Sequence, residues 1–221
     1  AGGGAGSALF STACAYEGQT NVLDDCANSF TGMDLPITNT ALSAAVDVGN
    51  GVGLAFGYEG SDDASGLGTE QAVDAYAFNA SYIKDSYGVS YTFLDVETLE
   101  VQSLNAFFTP SIDRFPSISF GIEWSHQDDN AAVGIDDSND EASHYFIGAQ
   151  FDNVGNGTLG ASVGSKELYR ENADAEVMWE AYYSYNYADG ITITPVVFVK
   201  EFAAANTDDE TGIILKTSFE F

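Results

Sequence analysis

Two histidines and the acidic residues between them are the first candidates for chemistry in this sequence. His126 and His144 are the only histidines, and each lies beside the acidic segment 127–142. Imidazole and carboxylate groups together can bind a divalent metal ion. The stretch DDSNDE, however, lacks the central Gly and the closing Glu of a calcium-binding EF-hand, and the histidine spacing fits no metal motif. The better interpretation is a solvated surface loop, and we predict no metal site.

Catalytic motifs are missing from the rest of the sequence. It contains no nucleophile elbow, no phosphate-binding Gly-rich loop and no metalloprotease motif. Nothing in its spacing fixes Ser, His and Asp residues as a catalytic triad. We therefore predict that the protein is not an enzyme and uses no cofactor.

Charged residues also occur at alternate positions within apolar stretches. Because side chains alternate between the two faces of a β-strand, charges of one parity share a face. Carboxylates along a water-filled path favour cations over anions. The pattern predicts a cation-preferring pore, although the same acids in a wide, screened lumen would merely solvate it. The pore-lining candidates are Asp47, Glu59, Glu123, Glu176, Glu180, Lys200, Lys216 and Glu220.

The stretches that carry these charges alternate between apolar and small or polar residues. In the segment TGIILKTSFEF, Ile213, Leu215, Phe219 and Phe221 fall on one face, whereas Gly, Lys and Ser fall on the other. A strand of an outer-membrane barrel needs one face for lipid and one for water. A soluble sandwich could also bury such a strand, but the small and polar face lacks the bulk to fill a core. We therefore predict an all-β, antiparallel transmembrane β-barrel of the porin type.

The spacing of turns divides the chain into two parts. Residues 1–40 form a Gly-rich start and a long loop, and residues 41–221 carry the barrel strands. Tight Asn-Gly and Asp-Gly turns alternate with longer acidic connections, as in outer-membrane barrels. An odd number of strands would not close a bacterial barrel, so we expect the C-terminal part of a larger one. The predicted strands are 41–48, 52–60, 72–82, 86–95, 100–109, 116–126, 143–152, 158–166, 176–187, 191–201 and 211–221.

Composition and charge exclude several partners. The 221 residues carry 34 Asp and Glu against six Lys and Arg, a net charge of −28. Such an acidic chain is no partner for nucleic acid. The sequence has no apolar run long enough for a transmembrane helix. The acidity by itself is equally typical of a soluble protein from a salty habitat.

The loop within residues 1–40 contains both cysteines. Cys14 and Cys26 are spaced to permit one disulfide in an oxidising compartment, and two free thiols are the alternative. Residues 15–40 are long enough to fold inward and constrict a pore, and an external lid is an equally good interpretation. Residues 7–12 are a poor candidate for one further strand.

Several segments resemble one family of membrane proteins. They are the C-terminal hairpin EAYYSYNYADGITITP with its final strand TGIILKTSFEF, and the upstream stretches FPSISFGIE and LSAAVDVGNGVGLAFGYEG. They resemble the cyanobacterial outer-membrane porins of the carbohydrate-selective porin superfamily. The resemblance covers most of residues 40–221, and the final hairpin is its most specific part. It implies that the larger barrel has about sixteen strands.

The resemblance implies a porin for passive diffusion of ions and small hydrophilic solutes, including small sugars. It implies an outer-membrane location, contact with lipid, and a homotrimer, since porins of this size class are commonly trimers. Two alternatives stay open on the residues alone. One is a non-conducting structural or receptor barrel, and the other is a soluble acidic β-protein used in adhesion.

Overall fold

The computed structural model describes residues 10, 12–20, 26–27, 41–60, 74–96, 99–112, 114–127, 141–165, 169–170, 176–201 and 209–220. Regular structure in these residues is entirely β-strand. The strands are β1 (Ala41–Gly49), β2 (Val52–Gly60), β3 (Asp74–Lys84), β4 (Tyr87–Val96), β5 (Leu99–Phe108), β6 (Ser117–Gln127), β7 (Glu141–Phe151), β8 (Gly157–Ser165), β9 (Tyr169–Arg170), β10 (Val177–Ala188), β11 (Ile191–Lys200) and β12 (Glu210–Phe219).

Each long strand pairs with its neighbours in the sequence. The sheet runs β1-β2-β3-β4-β5-β6-β7-β8-β10-β11-β12, every pairing is antiparallel, and β1 and β12 form its two open edges. The predicted all-β antiparallel fold is confirmed, and the predicted bounds of the long strands differ from those observed by at most a few residues. No helix long and apolar enough to cross a bilayer occurs in the described part of the chain.

The two-residue strand β9 is the element that the sequence does not predict. It pairs with the start of β7 inside a stretch expected to be a loop, 166–175. Its shortness explains the error, because two residues carry no measurable periodicity. The stretch 7–12 is a poor candidate for a further strand, and its described residues, Phe10 and Thr12, are not in a strand; the others lie outside the described residues.

The two faces of the sheet differ as the alternation predicts. In β2, Leu54 and Phe56 are exposed, whereas Ala55 and Glu59 between and beyond them are buried. We call the face of Ala55 and Glu59 the inner face and the opposite one the outer face. The outer aromatic side chains include Trp179 and Phe219, both exposed. Phe221, expected on the same face, lies outside the described residues.

Short turns join strands at one end of the sheet. Between β1 and β2, Asn50 and Gly51 have φ values of 55° and 82°, as the predicted Asn-Gly turn requires. A side chain at Gly51 would overlap the Ile83 carbonyl of the adjacent strand, so a non-glycine residue there would displace the neighbouring turn.

The inner face is partly covered by peptide from before β1. Two apolar clusters lie on this face, one around Phe146, Met178 and Tyr182 and the other around Leu94 and Val101. The expectation that inner side chains are too small and polar to form a core is therefore wrong at these places. Large inner side chains are tolerated because Tyr16, Cys26 and Ala27, with Cys14 beside them, pack on the first cluster.

Candidate functional site

An extended segment of the chain crosses the inner face from strand to strand. We call its described residues, 12–20 and 26–27, the inward segment. The amide of Ala13 donates to the Ser90 hydroxyl of β4 at 2.8 Å, and the amide of Ala15 donates to the Ser119 hydroxyl of β6 at 2.9 Å. These amides belong to alternate residues, which in extended backbone point in one direction. The inward segment is thus held by wall side chains and not by strand pairing.

The same pattern continues to β7 and β10. The amide of Glu17 donates to Gln150 Oε1 of β7 at 2.9 Å. Two residues later, the amide of Gln19 donates to Glu180 Oε1 of β10, also at 2.9 Å. Alternate amides thus reach acceptors on four strands, β4, β6, β7 and β10.

Glu180 makes the densest set of contacts with the inward segment. Its carboxylate accepts the Tyr16 hydroxyl at 2.8 Å and the backbone amides of Gln19 and Thr20 at 2.9 Å each. The side chain is 1% exposed. A buried carboxylate needs such donors because burial without them costs several kcal/mol. The segment bends at residues 19–20, where its consecutive amides meet the carboxylate.

Tyr16 anchors the middle of the inward segment. Its ring packs against Phe146 at 5.4 Å and Tyr182 at 5.8 Å between centroids. A Cβ atom on Gly148 would overlap the Tyr16 ring, so this glycine leaves the room that the ring occupies. Burial raises the pKa of the Tyr16 hydroxyl well above its usual value, and the Glu180 carboxylate raises it further. The hydroxyl therefore remains a hydrogen-bond donor at any physiological pH.

The far end of the inward segment is fixed at Cys26. The structure joins Cys26 to Cys14 by a disulfide, with 6.1 Å between the Cα atoms. The Cys26 carbonyl accepts a hydrogen bond from the Asn105 side chain of β5. Cys26 is completely buried. The disulfide and this hydrogen bond together tie both ends of a small loop to the inner face.

The pore-lining candidates separate into two groups. Cross-strand pairing places those within strands on the inner face; for example, Asp47 lies opposite Gly53, and Lys216 lies opposite Thr194. Glu176 and Glu220 flank β10 and β12. Three of the carboxylates are buried: Glu59, Glu123 and Glu180. The other candidates are partly or fully exposed: Asp47, Glu176, Lys200, Lys216 and Glu220.

The two histidines do not come together. His126 lies on the outer face opposite Glu141, whereas His144 is buried on the inner face opposite Glu123. His126 pairs with Glu141, and His144 lies three residues further along β7. Side chains an odd number of residues apart point to opposite faces of a sheet, so the two imidazoles cannot share one site. Within the described residues, no group of three or more His, Cys, Asp or Glu side chains could hold a metal ion.

Sequence reasoning missed the residues that position the inward segment. Tyr16 and Gln19 carry no motif, and Ser90, Ser119 and Gln150 look like ordinary lumen residues. One signal was present: small inner residues such as Gly121 and Gly148 recur on neighbouring strands. In the sequence these glycines look like solvent-facing positions. In the structure the Cys26 carbonyl packs on Gly121, and the Tyr16 ring packs on Gly148.

Solved structures of a bacterial porin are similar in fold to this chain. A triple mutant of Rhodopseudomonas blastica porin aligns with a TM-score of 0.54 and 14% identity, over 82% of this chain and 55% of that one. A second variant of Rh. blastica porin aligns with a TM-score of 0.55 and 15% identity, again over 82% of this chain and 55% of that one. A structure described as "Asymmetric conductivity of engineered proteins" aligns with a TM-score of 0.54 and 13% identity, over 82% of this chain and 55% of that one. No protein-family model and no curated protein matches the sequence.

The likeness establishes the fold. The chain has the antiparallel β-barrel fold of porins, and it spans about half the length of the solved porins that it matches. The open edges at β1 and β12 agree with a partial barrel.

Proposed function

We propose that the chain forms part of the wall and the constriction of an outer-membrane porin for passive diffusion of ions and small hydrophilic solutes. The observation that carries this proposal is the inward segment, which lies across the polar face of a porin-type sheet. A bare barrel wall encloses a wide channel, and a peptide fixed inside it narrows that channel. The hydrogen bonds from Ala13 and Ala15 to wall serines support an inward constriction over an external lid.

The outer face supports a location in the outer membrane. Leu54, Phe56, Ile213 and Leu215 are exposed on it, and Leu215 reaches 68% exposure. Exposed apolar side chains at alternate positions along antiparallel strands suit contact with lipid tails. A soluble sheet would cover them with a second layer.

We further propose that the pore prefers cations. The exposed acids along the inner face, such as Asp47 and Glu220, meet solute directly. Glu17 of the inward segment is also exposed and adds to them. The buried Glu123 and Glu180 do not meet solute directly. Three hydrogen-bond donors also compensate the charge of Glu180. The net charge of −28 gives the field around the pore the sign that attracts cations.

The resemblance of the C-terminal hairpin extends the proposal to its finer parts. It supports a relation to the cyanobacterial carbohydrate-selective porins, small sugars among the solutes, and a homotrimer. The other candidate functions are a non-conducting receptor or structural barrel and an adhesive soluble β-protein. Conduction separates the porin from these, because only the porin requires an open water-filled path.

The test is reconstitution of the full chain into a planar lipid bilayer. We expect stepwise, ohmic conductance in potassium chloride, and swelling of proteoliposomes in small sugars. Heat-denatured protein from the same preparation is the control. A folded, membrane-inserted protein that leaves the bilayer sealed would overturn the porin proposal and favour the non-conducting barrel.

A further inference from the structure

We infer that Glu180 is the positioning residue of the constriction: it fixes how far the inward segment projects and so sets the width of the pore. This inference rests on the proposed porin function. The other wall acceptors on β4, β6 and β7 each receive one amide of the segment, at Ala13, Ala15 and Glu17. Glu180 receives three donors at the point where the segment bends.

The chemistry of the three donors requires a carboxylate. Both oxygens of an ionised carboxylate only accept hydrogen bonds. Oε1 therefore takes the Tyr16 hydroxyl and the Gln19 amide, while Oε2 takes the Thr20 amide. An amide in the same place would turn its NH₂ group toward at least one of these donors, and that contact would be repulsive. Hydrogen bonds to a charged acceptor are also the stronger ones. Gln at this position is therefore nearly isosteric but unable to hold the bend.

The surroundings of Glu180 explain why it fixes position and does not contact solute. It lies between the inner residues Ser162 of β8 and Phe198 of β11, which face it across the strands. Both neighbours are buried. The carboxylate is thus sealed under the inward segment. At the bend itself, the Lys216 ammonium of β12 donates to the Gln19 side-chain oxygen at 3.4 Å, which extends the contact toward the edge of the described sheet.

The first test measures the segment without reference to conduction. In the full-length protein in detergent micelles, hydrogen exchange of the Gln19 and Thr20 amides should be slow. The variant E180Q should accelerate their exchange by about tenfold or more, since it removes charge-assisted bonds. The matched control S90A removes one neutral acceptor at the other end of the segment, and it should affect Ala13 and leave Gln19 and Thr20 protected.

The second test measures the pore. In planar bilayers, E180Q should raise single-channel conductance and open-channel noise and admit larger uncharged polymers. The control S81A changes an inner-face serine of β3 that is not one of the segment's acceptors, and it should leave the exclusion size nearly unchanged. If E180Q fails to fold, Y16F provides the same test, because it removes one of the three donors and keeps the wall intact.

The outcomes separate this inference from the porin proposal. Unchanged exchange at Gln19 and Thr20 in both E180Q and Y16F would overturn the role of Glu180, whether or not the protein conducts. Faster amide exchange with an unchanged exclusion size would show that Glu180 holds the segment without setting the pore width, and this result would also overturn the inference. A wild-type protein that does not conduct, with faster exchange in E180Q, would refute the porin alone.

Discussion

The carbonyl oxygen of Cys26 lies directly against Gly121 of β6, at the place where any side chain at that position would stand. The Asn105 side chain, on the strand next to Gly121, donates to the same carbonyl. A glycine and an amide on neighbouring strands thus form a seat for one peptide group of the inward segment. At this point the inner face has both the space and the hydrogen-bond donor that the Cys26 carbonyl needs.

Replacing Gly121 with Val tests the seat. The new side chain would overlap the Cys26 carbonyl, and we expect a loss of about 1–3 kcal/mol in stability from the forced displacement. The channel should also become wider or noisier in bilayers. The matched control is Ala45→Val, because Ala45 is an exposed inner residue on β1. Equal thermal stability of the two variants would contradict the packing of the segment on Gly121.

The disulfide gives a second prediction. Cys14 and Cys26 should be oxidised to each other in protein isolated without reductant, and Cys14→Ser should lower the stability of the segment. A loop with a separation of 12 residues should contribute about 3 kcal/mol on the chain-entropy model. Intact-mass analysis after alkylation, with and without reductant, measures the bond. Two alkylated thiols in the unreduced protein would show that the bridge does not form.

Ion preference should follow the exposed inner acids. Changing Glu17 and Glu220 to Gln and Asp47 to Asn together should lower the permeability ratio of cation to anion, and the effect should shrink at high salt because screening shortens the reach of charge. The measurement is a reversal potential across a potassium chloride gradient. Glu100→Gln is the control, since Glu100 lies on the outer face opposite His126. A chloride-preferring wild-type pore would contradict the prediction.

Adjacent residues of β12 test which face meets lipid. Leu215 lies on the outer face and Ile214 on the inner face. Leu215→Arg should cost about 2–4 kcal/mol in a bilayer, the range for a charge on the lipid face near its midplane. Ile214→Arg should cost much less because its side chain faces water. Equilibrium unfolding in lipid vesicles measures both, and similar losses would rule out the assignment of faces.

The wall of the fold could be predicted from the sequence because one simple rule governs it. Residues such as Leu54 and Phe56 alternate with small ones, and that period of two specifies strand, face and register together. Turns such as Asn50-Gly51 end the strands at sharply defined places. The pore-lining candidates within strands fell on the inner face for the same reason.

The path of the inward segment could not be predicted in the same way, although an inward position is one of the two interpretations of residues 15–40. The inward segment has no period, because its backbone donates to side chains and not to a neighbouring strand. The contact between Thr20 and Glu180 joins residues 160 positions apart, and no local pattern encodes such a distance. Parity alone placed Glu123 and Glu180 in a lumen, whereas both are buried in the structure, and the inward segment covers Glu180.

The order of strands has a consequence for the time course of folding. Nearly every wall contact joins neighbouring hairpins, so the sheet can grow by one short loop closure after another. The bond between Tyr16 and Glu180 spans 164 residues and needs β10 in place before it can form. Contacts of such long range are slow to form. The wall can therefore form first, and the inward segment settles last, onto a finished inner face.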